Sequence, residues 1–337
     1  MEAKAMKGFQ IMNGLGRAVT LLITGLLIIW LSVAAVPVTA AKKASEQKPV
    51  KIRYAAFIGM TGLGFWLGKE KGFFEEAGLN LEMVEVGDKV SAFAAGEIDF
   101  ADLATTNAII GAGRGAPLKI VASMFRTKGP FYLLARPEIK RVEDLRGKKV
   151  GVGAIGSGMD VYTRVILKKH GLDPERDVIL INNGVYQQAM ASLEAGQVAA
   201  TIIHEPFVSL AERKGTGRLL ARGWDYLPTF HTGVLVASDA FIKKHPDLVR
   251  KLIATYFKSN IYAKSHPDEL LDFGTRYLRV DRGVLKAALD RERVIWENNP
   301  DVDLNALEDT QKIQIDLGFQ DRRFDVGKIL DLRFIPR

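Results

Sequence analysis

The sequence predicts an α/β protein of two lobes, each a mainly parallel sheet flanked by helices, with the chain crossing between them twice. Three observations carry this expectation. From Val50 onward, short β-rich runs alternate with helical patterns, an order that builds parallel sheets with helices on both faces. A second series of the same kind begins after Arg136-Pro137. Phe131 to Arg136 and Thr232 to Ser238 read as the connections between the two series. At 337 residues the chain is long enough for two such bodies. One lobe is expected at 50–135 and 235–337, the other at 136–234. Lobes joined in this way bind a ligand in the cleft between them and close about it.

The N-terminus reads as an address. Lys4, Lys7 and Arg17 precede an apolar run from Ala18 to Val36, and Val38-Thr39-Ala40 supplies small residues at the spacing a signal peptidase reads. Residues 1–40 are therefore expected to be a cleaved export signal; the alternative is an uncleaved N-terminal anchor. Both place the body outside the cytoplasm, with the periplasm as the expected compartment. A lipoprotein signal needs a cysteine, and the chain has none.

In the first series, Val50 to Phe57 reads as a strand and Phe65 to Ala77 as a helix that Gly78 stops. Leu81 to Val86, Phe100 to Leu103 and Leu118 to Met124 follow as strands, with helices at Val90 to Ala95 and Thr106 to Gly113. In the second, strands are expected at Lys149 to Val152, Val178 to Ile181 and Ala199 to Ile203, with helices at Met159 to His170 and around Gln187 to Ala195. A further helix starts at Pro206, where no amide donor is needed. Gly233 to Ala237 is a last strand. Beyond Asp239 the pattern is helical, and Leu248, Leu252, Ile253, Tyr256 and Phe257 share one face.

Composition narrows the chemistry. Charged residues at 26% and hydrophobic ones at 47% fit a packed globular body and neither a disordered nor a polytopic membrane chain. The net charge of +8 is mixed along the sequence and forms no stripe for nucleic acid. With no cysteine, disulfides, thiolate nucleophiles, Cys-ligated zinc and iron-sulfur clusters are excluded. No Gly-x-Ser-x-Gly elbow is present, and His245 and His266 precede prolines without metal-ligand spacing. No cofactor is expected.

Several stretches in order resemble the substrate-binding proteins for nitrate, sulfonate, taurine and thiamine precursors, the NMT1/THI5-like family. They are Leu67-Gly68-Lys69-Glu70-Lys71-Gly72-Phe73-Phe74, Ala95-Gly96-Glu97-Ile98-Asp99-Phe100-Ala101, Val142 to Val152, and Phe241 to Val249. The resemblance covers nearly all of the chain beyond the signal. It implies a type II periplasmic-binding-protein fold that delivers a small solute to the permease of an ATP-driven importer in the inner membrane, as a monomer and without nucleic acid. Two alternatives stay open: a thiamine-pyrimidine-synthase type of enzyme on the same fold, and a sensing module. The enzyme relatives need a Cys-rich segment, which this chain lacks.

The candidate ligand contacts lie where strands run into helices. Gly153 to Gly158 follows a strand and opens a helix; Gly156, Ser157 and Gly158 offer backbone amides, a hydroxyl and a partial positive charge to an anion. The spacing is not the dinucleotide fingerprint. Ser157 as a plain helix cap is the alternative. Thr61-Gly62 after the first strand, Thr105-Thr106 after the third, Ser123 closing the fourth and Asn183 in the second lobe are candidates on the same ground. His204 stands where sulfonate and taurine binders carry an aromatic residue before an acid and proline. It could donate to an anion or make capture pH-dependent, or only fix the loop, while Glu205 is expected as a helix cap. Trp66 is either a stacking platform or core, and Arg126 is the cation to watch for a carboxylate or sulfonate. An anionic end is thus expected to be held by helix amides, without a buried lysine.

Overall fold

The computed structural model describes residues 50–125 and 128–336; the segment read as an export signal and Arg126 lie outside the described residues. The chain runs through β1 (Lys51–Ala55), α1 (Leu63–Glu70), α2 (Phe73–Glu76), β2 (Asn80–Met83), α3 (Lys89–Ala94), β3 (Phe100–Ala104), α4 (Thr105–Gly113) and β4 (Leu118–Phe125). The second series comprises β5 (Tyr132–Ala135), β6 (Lys149–Gly151), α5 (Gly158–Lys169), β7 (Ile179–Ile181), α6 (Gln187–Glu194), β8 (Ala200–Ile203), α7 (Phe207–Lys214) and β9 (Arg218–Arg222). It closes with β10 (Gly233–Ser238), α8 (Asp239–Lys244), α9 (Pro246–Ser265), α10 (Pro267–Leu278), α11 (Arg282–Glu292) and α12 (Leu304–Asp316).

The strands form two five-stranded sheets of the same design, β2-β1-β3-β10-β4 and β7-β6-β8-β5-β9. In each, the edge pair and the centre are parallel, and one antiparallel strand is inserted at the fourth place: β10 between β3 and β4, β5 between β8 and β9. The inserted strand is supplied by the segment that has just left the other lobe.

That insertion corrects the sequence-based boundary. Tyr132–Ala135, assigned above to the first lobe, pairs on both sides within the second sheet, and Gly233 and Val234, assigned to the second, begin a strand of the first. Phe131–Arg136 and Thr232–Ser238 are therefore mostly sheet interior. All four residues of β5 and all six of β10 are buried, which explains why runs read as connections are so apolar. A further strand, β9, lies at the edge where no strand was expected.

The helix expected from Phe65 to Ala77 is two helices, because Gly72 takes φ +79 and breaks the ladder before α2. Tyr54, Phe65, Phe74 and Phe100 pack with Leu252, Ile253 and Tyr256 of α9 on one face of the first sheet. Ile109, Val234, Val236 and Leu307 cover the other. The second sheet is sandwiched in the same way, by Tyr162, Ile166 and Leu167 of α5 on one face and by Leu193, Val208 and Ala211 of α6 and α7 on the other. The C-terminal part of the chain returns to both lobes: Ile295, in the turn after α11, joins the second lobe's core, and Leu307 of α12 the first's. Among the described residues no helix is long and apolar enough to cross a membrane.

Candidate functional site

A cavity of about 480 Å³ opens between the carboxyl ends of the two sheets. From the first lobe it is lined by Ala56, Phe57, Ile58 and Thr61 after β1, by Val84, Glu85 and Val86 after β2, by Lys89 and by Ala104. The second lobe contributes Ala154, Ser157, Gly158 and Met159 after β6, Val185 and Tyr186 after β7, and His204 after β8. Pro130, Phe131 and Thr232, from the segments that cross between lobes, complete it. Most of this surface is apolar, so the few polar groups decide orientation and selectivity.

The loop after β1 is held from behind. Asp102, fully buried on β3, accepts from the Phe57 amide at 2.8 Å and from the Tyr54 hydroxyl. Trp66 donates its indole Nε1–H to the Phe57 carbonyl at 2.9 Å and stacks on Tyr277. Trp66 is thus a brace for the cavity wall and does not line it. Burial raises the Asp102 carboxyl above its ordinary value, opposed by the nearby Lys89 charge.

Lys89 starts α3. Its Nζ donates to the Asp102 carbonyl at 2.9 Å and to the Ala56 carbonyl at 3.3 Å, and lies 4.3 Å from the centroid of the Phe57 ring. Burial lowers its pKa to about 8 in spite of Asp102. The sequence reading missed this residue, yet the signal was present: Asp88 caps α3 by accepting from the Val90 amide, which puts Lys89 just past a strand end, the same position that nominated Thr61.

On the opposite wall His204 donates from Nδ1 to the Pro130 carbonyl at 2.7 Å, which leaves Nε2 as an acceptor. Burial pushes its pKa down to about 4. His204 is therefore neutral near pH 7 and does not present a donor to an anion from its free nitrogen. Phe131 lies 5.0 Å and Tyr186 5.6 Å from its ring, centroid to centroid. Glu205, next in sequence, accepts from the Ser209 amide and hydroxyl, as a residue capping α7 should.

Of the candidates, Thr61, Ser157, Gly158 and His204 come together in the cavity. The others lie behind it. Thr105 and Ser123 are fully buried, and their hydroxyls hydrogen-bond the two ring nitrogens of His231, at 2.9 and 3.2 Å, one accepting from the ring N–H and the other donating to the bare nitrogen. Thr106 is buried with its hydroxyl toward Asn107. Gly62 packs under the Phe57 carbonyl, which would lie 2.1 Å from an added Cβ. Asn183 donates to the Thr201 hydroxyl at 3.0 Å, bracing the start of the Gly153 turn.

The turn before α5 also differs from expectation. The Gly156 amide, one of the anticipated anion donors, is taken at 2.9 Å by Asp160, a fully buried carboxylate that Arg164 pairs at 2.7 Å. Ser157 caps α5, its hydroxyl accepting from the Asp160 amide at 3.5 Å. The chain's own carboxylate therefore takes one of the three donors expected at this turn, the Gly156 amide.

Tyr186 spans the cleft. Its backbone has φ +52, uncommon for a residue with a side chain, and its hydroxyl donates to the Ile58 carbonyl of the first lobe at 3.4 Å. The lobes are thus in contact at this edge.

Comparison with known proteins agrees with this architecture. An aliphatic sulfonates-binding protein, as named in Bacillus subtilis (strain 168), is 28% identical over 280 residues, 80% of this chain and 83% of that protein. A 4-amino-5-hydroxymethyl-2-methylpyrimidine phosphate synthase of Saccharomyces cerevisiae is 25% identical over 232 residues, 63% of this chain and 67% of the enzyme. The crystal structure of the periplasmic aliphatic sulphonate binding protein SsuA from Escherichia coli superposes with a TM-score of 0.69 at 20% identity, covering 84% of this chain and 92% of that one. It shares the two-lobed periplasmic-binding-protein fold. The family model described as NMT1/THI5 like matches residues 61–270, more than half of the chain. With two sheets, inserted antiparallel strands and a cleft at their carboxyl ends, the chain belongs to the NMT1/THI5-like family.

Proposed function

We propose that the protein is the extracytoplasmic solute-binding component of an ABC importer, and that it captures a small organic solute with an anionic or polar end, of the sulfonate, taurine, nitrate or thiamine-precursor type, in the interlobe cleft. The carrying observation is the cavity itself: it lies between two lobes touching through Tyr186, with apolar walls and only a few polar groups. Relatives named for sulfonate binding support the same reading. Export to the periplasm and delivery to an inner-membrane permease belong to this proposal and rest on the N-terminal pattern and on the family. Binding is favoured over conversion because His204, the cavity's histidine, gives its Nδ1–H to a backbone carbonyl and not to an acid, so nothing here tunes it as a base.

A thermal-shift panel on the purified chain from residue 41 tests the proposal, with sulfonates, carboxylates, nitrate, pyrimidines, neutral amides and amines as members. A saturable rise in melting temperature with one class, lost in Gly158→Val, is the expected result. An added Cβ at Gly158 meets only Phe131, at 3.5 Å, so a larger side chain enters the cavity without disturbing the fold. A flat response across the panel overturns the reading.

A further inference from the structure

Lys89 is the one cation among the described residues lining the cavity. Its ammonium has three N–H donors, and two go to uncharged backbone carbonyls. Neither acceptor neutralises it, and the Phe57 ring adds only a cation–π contact. The nearest buried carboxylate, Asp102, has its oxygens engaged by the Tyr54 hydroxyl and the Phe57 amide, and so attracts Lys89 without bonding it. Asp88, at the cap of the same helix, accepts from Val90 and Ser91. Glu85, from the turn after β2, is solvent-exposed at the rim. From the second lobe the facing titratable groups are Tyr186 and His204. Burial pushes the tyrosine hydroxyl up and the imidazole down, so both are uncharged near pH 7.

At the other seat for an anion, the amide end of α5, the Gly156 amide is already taken by Asp160. Beside Lys89 stands the Phe57 ring, and the same cavity is walled by Phe131, Tyr186, Val84 and Met159. A bare inorganic oxyanion would leave those walls to water, and burying them against a ligand body is what a cavity of this composition rewards.

We propose that Lys89 is the counter-charge of the ligand, and that the cleft accordingly takes an organic anion with a flat apolar body, its carboxylate or sulfonate on Nζ and its body between the aromatic side chains of the two lobes. This rests on the solute-binding reading above and deepens it. Nitrate lacks the body and taurine brings a second ammonium, so both are disfavoured. The pKa of about 8 adds a signature: in the free chain Lys89 loses its proton above that pH, and an arriving anion restores it. Binding at pH 8.5 therefore takes up protons.

The test is titration calorimetry on the chain from residue 41 with 2-naphthoate, naphthalene-2-sulfonate, the neutral 2-naphthamide, nitrate and taurine. Both naphthyl anions are expected to bind, with naphthamide, nitrate and taurine at least tenfold weaker. In Lys89→Met the anions weaken about 10- to 100-fold, as for a lost charge-assisted hydrogen bond, while the amide changes less than about threefold. Lys89→Arg retains a measurable preference for the anions. If neither single variant folds, the parent alone decides by its preference for the two naphthyl anions over 2-naphthamide, and net proton uptake in two buffers of different ionisation enthalpy at pH 8.5 accompanies anion binding. Equal affinity for amide and anion, or an unchanged anion affinity in Lys89→Met, overturns the proposal and leaves solute capture standing. A parent that binds neither anion overturns it too, and solute capture is then decided by the rest of the thermal-shift panel.

Discussion

His204 carries its proton on Nδ1, and its pKa of about 4 lies below the ordinary 6.5, so the unfolded chain takes up a proton that the folded one refuses. The stability this represents is complete above pH 6.5 and drains away as pH falls toward 4. Relative to His204→Gln, the parent is expected to lose about 1 to 3 kcal/mol across that window in urea titrations at pH 7 and pH 4.5. A constant difference between the two proteins would show that the ring is solvated. Ligand affinity, by contrast, should not depend on this residue's charge between pH 6 and pH 8. At this scale the sequence was partly legible. That Thr61, Ser157 and Gly158 line the cavity could be read from strand ends, because topology fixes where such ends point, whereas His204 was singled out by the family resemblance. The burial of Thr105 and Ser123 could not, since only the fold reveals that His231 lies between them. Phe131 was hidden for a different reason: it precedes a strand that pairs far away in sequence, and local pattern carries no sign of its partner.

Between elements, α1 approaches α9 closely through two glycines. A Cβ built on Gly68 would come 2.4 Å from the Ser259 Cβ, and one on Gly64 would come 3.2 Å from the Asn260 Cα. Gly68→Ala must push the helices apart, at a cost of about 1 to 3 kcal/mol. Thermal denaturation checks this, and a variant within 0.5 kcal/mol of the parent, roughly the scatter of surface substitutions, would mean that α1 slides freely. A second junction is ionic. Arg291 of α11 pairs with the fully buried Glu205 and with Glu212 on α7. Arg291→Met strands the Glu205 charge, with an expected loss of about 3 to 5 kcal/mol, whereas Arg291→Met combined with Glu205→Gln recovers part of it. Denaturant melts of the single and double variants form the test. Element boundaries were largely readable because glycines and caps mark them, as Ser157 does for the start of α5 and Gly78 for the turn after α2. The edge strand β9 escaped because its residues are only partly buried and alternate weakly.

The lobes of the whole molecule meet at Tyr186, whose hydroxyl reaches the Ile58 carbonyl while its backbone is held at a left-handed φ. Closure about a ligand should strengthen that contact, and opening should release it. Small-angle scattering with a ligand from the panel is expected to show a smaller radius of gyration than without it, and Tyr186→Ala is expected to enlarge the ligand-free form. Identical profiles for parent and variant would remove Tyr186 from the closing edge. The inserted strands bear on something else, the timetable of synthesis. The second sheet has all its strands once residue 222 has emerged, whereas the first still lacks β10, residues 233–238, between β3 and β4. During translation β3 and β4 therefore have no strand to join them until the whole of the later lobe has been made. The lobe that is written first is finished last, and a nascent chain halted between residues 222 and 233 would carry one complete sheet and one with an open gap. Such an interval is where a chaperone, or a waiting export machine, would find an unpaired strand to hold.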